Sequence, residues 1–386
     1  MRIAHVISGL PAESGGPTTA IPDLVRWQSL LGYSCVLITG DSEGLGALRE
    51  LLYGAGATLL RFAKAGPSKL YYLPLLKEFL AQQGTKFDLF VLHGSYQYPT
   101  FATARFCRTA KIPYVFTPHG SLDPAVRIKH RFRNRLIDCL YHDSVIRGAD
   151  AWHFTSEGER SSCERPIWEK SFVEPLGIDF DRIPKEGPVG NFRRKYGIPK
   201  GATIVLFLSR ITRKKGIDIL LDAFRRIVPG VADVFLALCG PIDEDMRGLI
   251  EHARRDRVVG NRLITTGLLL ADDRNAAFFD CNYFVLPSYS ENFGIAAFEA
   301  LAYGVPVLTT TGLNLHTELS RSGRTLVVEP TADALYDGLM KILGKTWQPT
   351  ANRDDVRTWL EREFSWRIRA KRLALHYSEV AGIPLS

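Results

Sequence analysis

Short apolar runs alternate with helix-length segments along most of this chain, and the alternation stops once near the middle and then starts again. Apolar strands separated by helical stretches pair in parallel, because each crossover must carry the chain back along the sheet and covers one of its faces. In the first half the candidate strands are residues 3–7, 35–39, 58–62, 89–92, 114–117 and 151–155, most of them punctuated by Gly, Pro, Asp or His. Residues 173–179 close that unit, and 180–196, rich in Gly, Pro and charge without a sustained period, read as a linker. The pattern resumes at 204–208, 234–239, 263–266, 284–286, 307–309 and 326–328. Between the first two of these, Ile217, Leu220, Leu221, Phe224 and Val228 make a helical stripe. A chain of 386 residues is too long for one ordinary core and short for three. The expectation is therefore an α/β protein of two similar domains, residues 1–182 and 190–360. An amphipathic helical tail, anchored by Trp359, Phe364, Trp366, Leu373 and Tyr377, follows.

The composition, 46% hydrophobic and 23% charged, is that of a soluble globular protein. Of the net charge of +8, residues 1–185 contribute 22 Lys/Arg against 18 Asp/Glu and the rest 27 against 23, so neither half is a basic nucleic-acid module. Cysteines 35, 107, 139, 163, 239 and 281 include no C-x-x-C pair and read as reduced core thiols. The opening Met1-Arg2-Ile3-Ala4-His5-Val6-Ile7 reaches Gly9 and Pro11 too soon for a signal-peptide apolar region, and no stretch is long enough to span a bilayer. A cytoplasmic protein is expected, with peripheral contact at the membrane left open.

Chemistry concentrates where strands end, the place where open α/β sheets bind ligands. After residues 284–286 comes Pro287-Ser288-Tyr289-Ser290-Glu291-Asn292-Phe293-Gly294, then a helical pattern from Ile295 to Tyr303. Glu299 is the only formal charge between Asn292 and Thr317, and a carboxylate in so apolar a run needs a hydrogen-bonding partner. A ligand is the expected partner. Gly294 permits a tight turn, and the free N–H groups of a helix start suit a phosphate. Glu291 and Glu299 then read as acceptors for hydroxyls on either side of that phosphate. The alternative is a helix whose glutamate faces water.

A matching cation set, Arg210 and Lys215 within Ser209-Arg210-Ile211-Thr212-Arg213-Lys214-Lys215-Gly216, opens the helix after residues 204–208. A guanidinium fork and an ammonium together suit a leaving diphosphate. In the first half, Gly15 and Gly16 follow the first strand without the G-x-G-x-x-G spacing of dinucleotide folds. His119, between Pro118 and Gly120 at a strand end, is a candidate to hydrogen-bond a sugar hydroxyl, and His93 has a similar, weaker address. Arg127, Lys129, Arg131, Arg133 and Arg135 spread charge around a helix, which suits a solvated segment or attraction to anionic headgroups. Asp243-Glu244-Asp245 reads as a helix-capping run with no other hard metal ligands near it.

Taken in order, these motifs resemble glycosyltransferase family 4, retaining enzymes of the GT-B fold, over nearly the whole chain. The residues that carry the resemblance are Gly15 and Gly16, Thr117-Pro118-His119-Gly120, Pro175-Leu176-Gly177-Ile178-Asp179, Arg210 with Lys214-Lys215-Gly216, and Gly240-Pro241. Pro287-Ser288 through Glu291, Phe293-Gly294, Glu299, Gly304-Val305-Pro306-Val307 and Phe364-Ser365-Trp366 complete them. The variants around Glu291 and His119 look like those of enzymes that build bacterial capsule, exopolysaccharide or lipopolysaccharide.

The resemblance implies two Rossmann-like domains facing each other across a cleft, with the last helix, 361–386, returning to the first domain and Trp359 and Trp366 packing there. It implies a nucleotide diphosphate sugar as donor and a saccharide or lipid-linked acceptor. Glu291 and His119 would serve the donor sugar, Asn292, Phe293, Gly294 and Ile295 would offer backbone N–H groups, and Glu299 would bind the ribose. Arg210 and Lys215 would hold the diphosphate, with Gly15 and Gly16 approaching it. The leaving phosphate would help deprotonate the acceptor, so neither a dedicated base, a metal nor another cofactor is implied. Leu176, where relatives often carry Asn, and Thr311-Gly312-Leu313-Asn314-Leu315-His316, which lacks a Pro-Trp, depart from the pattern and bear on which sugar is used. Two alternatives stay open: a phosphorylase or epimerase on the same fold, and a non-catalytic nucleotide-sugar-binding subunit of a polysaccharide assembly complex.

Overall fold

The computed structural model describes residues 1–11, 16–42, 45–66, 71–122, 145, 147–163 and 168–384. The chain forms two compact units, one of Met1–Gly177 with Trp366–Ser386 and the other of Ile178–Ser365. The stretch expected as a linker belongs to the second unit. Ile178 donates its backbone N–H to Phe364 at 2.7 Å, and the Asp280 carboxylate accepts from the backbone N–H groups of Gly190 and Arg193.

The first unit holds a seven-stranded parallel sheet of β1 (Arg2–Ile7), β2 (Ser34–Gly40), β3 (Thr58–Phe62), β4 (Leu89–His93), β5 (Tyr114–Thr117), β6 (Ala151–Phe154) and β7 (Ser171–Val173), in the order 3-2-1-4-5-6-7. Every residue of β4 is buried, as expected of a strand with helices over both faces. The strand β7 has three half-buried residues, too few to show a period in sequence. The second unit holds a six-stranded parallel sheet of β8 (Thr203–Leu208), β9 (Val234–Cys239), β10 (Leu263–Gly267), β11 (Tyr283–Leu286), β12 (Val307–Thr310) and β13 (Thr325–Val328), in the order 10-9-8-11-12-13. Both are doubly wound sheets. Strand order reverses between β1 and β4 in one and between β8 and β11 in the other, and loops diverge at such a point to leave a crevice.

Helix placement follows from apolar spacing. In the helix Ile217–Ile227, Ile217, Leu220, Leu221, Phe224 and Ile227 are buried, and the helix packs on Ala332–Leu343. The helix Arg353–Phe364 packs on Ile295–Ala302 inside the second unit. Trp359 therefore belongs to the second unit and not, as expected, to the first: it meets Phe364 edge-on at 5.4 Å, and its helix ends before the chain passes into the first unit at Trp366. Trp366 does belong to the first unit, where it is 1% exposed and lies against Gly177. Asp243 occupies the N-cap position of the short turn Glu244–Met246 without a side-chain capping bond, so that acidic run caps by place and not by hydrogen bond. Cys35, Cys107, Cys163, Cys239 and Cys281 are free thiols, and Cys139 lies outside the described residues.

The returning helix, Trp366–Ala381, is fastened by a buried ion pair between Arg369 and Glu174 at 2.6 Å. Removing one partner of such a pair leaves the other charge uncompensated in a low-dielectric site. Arg369→Met is expected to cost about 3–5 kcal/mol, seen as a lowered thermal midpoint, with much of the loss recovered in the Glu174→Met, Arg369→Met double variant. An unchanged midpoint in the single variant would contradict this.

Candidate functional site

In the second unit the reversal point between β8 and β11 gathers most of the charged candidates. The loop after β8 ends in the turn Arg213–Lys215, and Gly216 follows with a φ of 67°. A side chain at Gly216 would collide with the Pro287 carbonyl, so glycine is what lets the Lys215 loop press against the loop after β11. Tyr289 donates its backbone N–H to the Lys214 carbonyl at 2.9 Å, stitching the same two loops together. Lys215 thereby reaches Glu291, and the ammonium and carboxylate form a nearly buried ion pair.

The Glu291 backbone is fixed on both sides, donating to Gly312 and accepting from Asn314, each at 2.9 Å. The Asn314 side-chain amide also donates to Asn292 at 3.2 Å. Burial pulls the Lys215 ammonium down to about 7, with Lys214 and Arg210 adding to the effect, while its paired carboxylate works the other way. An arriving diphosphate would relieve the same repulsion.

Gly294, with a φ of 75°, ends the loop and caps the helix Ile295–Ala302 without a side-chain bond. A Cβ there would stand 2.9 Å from Leu313 and 3.1 Å from Leu286. The first closed turn runs from Ala297 N–H to the Gly294 carbonyl, so the N–H groups at the helix start point outward with the positive end of the dipole. The far end is already satisfied: Arg357 donates to the Ala302 carbonyl at 3.1 Å and Arg324 to that of Gly304 at 2.8 Å. The helix thus presents its positive end alone to the loop that carries Glu291.

Glu299 lies in this helix and forms an ion pair with Arg274, a residue the sequence reading did not single out. The ligand expected as the partner of Glu299 is not needed to compensate its charge, nor is one needed for Glu291. Each already has a protein cation, Lys215 for Glu291 and Arg274 for Glu299. Arg274 also sits over the Phe278 ring at 5.6 Å. Nothing in sequence links Arg274 to Glu299, since they lie on different helices joined only through the fold.

In the first unit Gly16 opens the helix Gly16–Leu30, while Gly15 and the basic series Arg127, Lys129, Arg131, Arg133 and Arg135 lie outside the described residues. His119 follows β5 with a φ of 51°, an uncommon conformation for a residue with a side chain, and Gly120 continues the turn at 73°. The buried Glu159 carboxylate holds that turn, accepting from Gly120 N–H at 2.5 Å and from Thr155 N–H at 2.7 Å. His119 does not stand alone: its Nε2 is 2.9 Å from His93 Nδ1, and His93 Nε2 is 3.1 Å from His5 Nδ1. Burial lowers all of these imidazoles, His5 to about 4 and His119 to about 3, with His93 well below the ordinary value. The candidate set is thereby extended to His5, which sequence gave no reason to choose. Among the described residues no cluster of His, Cys, Asp and Glu is arranged to hold a metal ion, and no helix is long and apolar enough to cross a membrane.

Two family models match the chain: glycosyl transferase 4-like domain over residues 15–167 and glycosyl transferases group 1 over residues 189–354. A putative teichuronic acid biosynthesis glycosyltransferase, TuaC of Bacillus subtilis (strain 168), is 25% identical over 295 residues, 75% of this chain and 70% of that protein. The D-inositol 3-phosphate glycosyltransferase of Arthrobacter sp. (strain FB24) is 35% identical over 278 residues, 65% of this chain and 63% of that protein, so the match spans less than two thirds of that relative. Among solved structures, HepE of Anabaena in complex with UDP-glucose superposes with a TM-score of 0.76 at 17% identity, covering 98% of this chain and 100% of that one. That likeness shows a shared fold.

The depressed Lys215 sets a pH dependence for anion binding. Below about 7 the ammonium is charged before and after binding, whereas above it binding must take up a proton, so affinity is full at the low end and falls as pH rises. Calorimetric titration with a nucleotide diphosphate sugar is expected to show weakening from about pH 7 upward in the native protein and a flat profile in Lys215→Gln. The same slope in both proteins would remove Lys215 from the anion site.

Proposed function

This chain belongs to glycosyltransferase family 4, and we propose that it moves a hexosyl unit from a nucleotide diphosphate sugar to a saccharide or lipid-linked acceptor, with retention at the anomeric carbon. The observation that carries the reading is the Lys215 and Glu291 pair, held at the reversal point of the sheet beside an open helix N-terminus. A diphosphate entering there would compete with Glu291 for the ammonium, and Glu291 would be released to accept from a hydroxyl of the donor sugar. Arg210 adds a fork for the departing phosphate, and Asn292 to Ile295 offer N–H groups to the donor. Glu299, oriented by Arg274, would accept from the ribose. HepE of Anabaena holds UDP-glucose on the same fold, which supports a nucleotide-sugar donor. TuaC is named for teichuronic acid biosynthesis, which supports an acceptor in surface polysaccharide assembly.

Retention follows, in this reading, from attack on the face the phosphate leaves, with the phosphate oxygen receiving the acceptor proton. Lys215, Arg210 and a helix dipole would supply the charge stabilisation that the leaving group needs, so the reaction is assigned no metal. A transfer assay with UDP, GDP and ADP sugars and a panel of acceptors tests this. Native protein should turn over equally with and without EDTA, and proton NMR of the first product should show the donor's anomeric configuration. Glu291→Ala and Lys215→Ala should each lose at least about 100-fold in turnover while keeping the native circular dichroism, in line with removing preorganised charge from such a site. Full activity in both variants, or an inverted product, would overturn the mechanism. Nucleotide-sugar binding without turnover on any acceptor would favour the non-catalytic subunit.

The proposed site of action is the cytoplasmic face of the membrane, with Arg127, Lys129, Arg131, Arg133 and Arg135 contacting anionic lipid. Association with vesicles containing phosphatidylglycerol should then be strong at low salt and vanish as salt is raised. No association at low salt would dismiss the contact.

A further inference from the structure

The histidines behind His119 form a chain with a direction. Gln28, itself fully buried, places its side-chain carbonyl oxygen Oε1 2.8 Å from His5 Nε2. With the Gln28 amide turned so that Oε1 faces the ring and Nε2 is buried without a partner, the oxygen accepts, His5 Nε2 carries the proton and His5 Nδ1 is bare. His93 Nε2, 3.1 Å from that bare nitrogen, must then be the donor, which leaves His93 Nδ1 bare. The same step repeats at 2.9 Å, where His119 Nε2 donates to His93 Nδ1. The rings are stacked in sequence, His5 on His93 at 5.4 Å and His93 on His119 at 5.2 Å, and neither His5 nor His93 can turn over without breaking two hydrogen bonds.

Each imidazole is neutral, because burial and the neighbouring rings oppose a charge on any of them. A neutral imidazole has one N–H and one acceptor nitrogen, so the three tautomers are not independent. His153 stands outside the chain: its Nε2 faces the Glu174 carbonyl at 2.7 Å and its Nδ1 faces Thr117 Oγ1 at 3.4 Å. At the end of the chain His119 Nδ1 has no hydrogen-bond partner among the described residues.

We propose that Gln28, His5 and His93 are positioning residues that hold His119 in the Nε2–H tautomer, so that His119 Nδ1 is presented to the bound ligand as an acceptor for a hydroxyl. Gln28 is two histidines removed from His119, yet it decides whether the nitrogen at the turn gives or receives a hydrogen bond. A hydroxyl that must donate is recognised there, and a ligand with an ether or carbonyl in its place is refused. This deepens the transferase reading by naming the hydroxyl-donating sugar as the ligand class His119 selects.

The test reads tautomers directly, without turnover. Full-length protein labelled with nitrogen-15 at histidine is measured at pH 7, with signals assigned by single His→Gln variants. The expected spectrum shows Nε2 protonated and Nδ1 unprotonated at His5, His93 and His119. Gln28→Leu, which removes the terminal acceptor, should convert His119 to a mixture of tautomers and raise KM for the donor or acceptor several-fold, with little change in kcat. A protonated Nδ1 at His119 in the native protein overturns the proposal, and so does a His119 tautomer that Gln28→Leu leaves unmoved. If Gln28→Leu does not fold, the native spectrum still decides. The expected tautomers in a native protein without transfer activity would support the relay and count against the transferase reading alone.

Discussion

The ion pair between Lys215 and Glu291 is the contact on which the second unit's site depends. Neither charge tolerates burial by itself, and each is carried by a loop that backbone hydrogen bonds already hold in place, Tyr289 N–H to the Lys214 carbonyl between the two loops and Glu291 with Gly312 and Asn314. Their attraction holds the loop after β8 against the loop after β11, and Gly216 removes the side chain that would keep them apart. Once those loops are joined, Gly294 can turn the chain into a helix whose positive end is left open, while Arg357 and Arg324 satisfy its other end. A pair of opposite charges that can be separated by an anion is also a device for binding that anion.

The two units solve the problem of polar recognition in different ways. In the second unit, charge is paired with charge: Lys215 with Glu291 and Arg274 with Glu299. In the first, burial strips charge from His5, His93, His119 and His153 and leaves directed hydrogen bonds. The first arrangement suits a phosphate, whose field reaches several ångströms. The second suits a hydroxyl, for which geometry at one nitrogen matters more than charge.

Most of the fold was legible because its signal is local. Strands with both faces buried are short apolar runs, and helices such as Ile217–Ile227 announce their stripe. The strand β7 escaped because three half-buried residues carry no period. Trp359 was misplaced because a break at Ser365 between two helices of similar pattern decides which unit each helix joins. In the site, Glu291, Gly294 and Lys215 could be chosen because charge and glycine stand out against apolar neighbours. Arg274, Gln28 and His5 could not, since each sits in an unremarkable segment and matters only for what lies beside it.

Sequence by itself determined two doubly wound parallel sheets, the strand ends that are the candidate ligand site, and the residue types available there, because propensity, period and turn chemistry act over a few neighbours. Tertiary structure decided the pairing. Strand order brought β8 beside β11 across more than seventy residues and so gave Lys215 to Glu291, and it brought β1 beside β4 and β4 beside β5 and so lined up His5, His93 and His119. Coulomb forces and hydrogen bonds act through space over a few ångströms, and only the folded sheet sets which residues come that close.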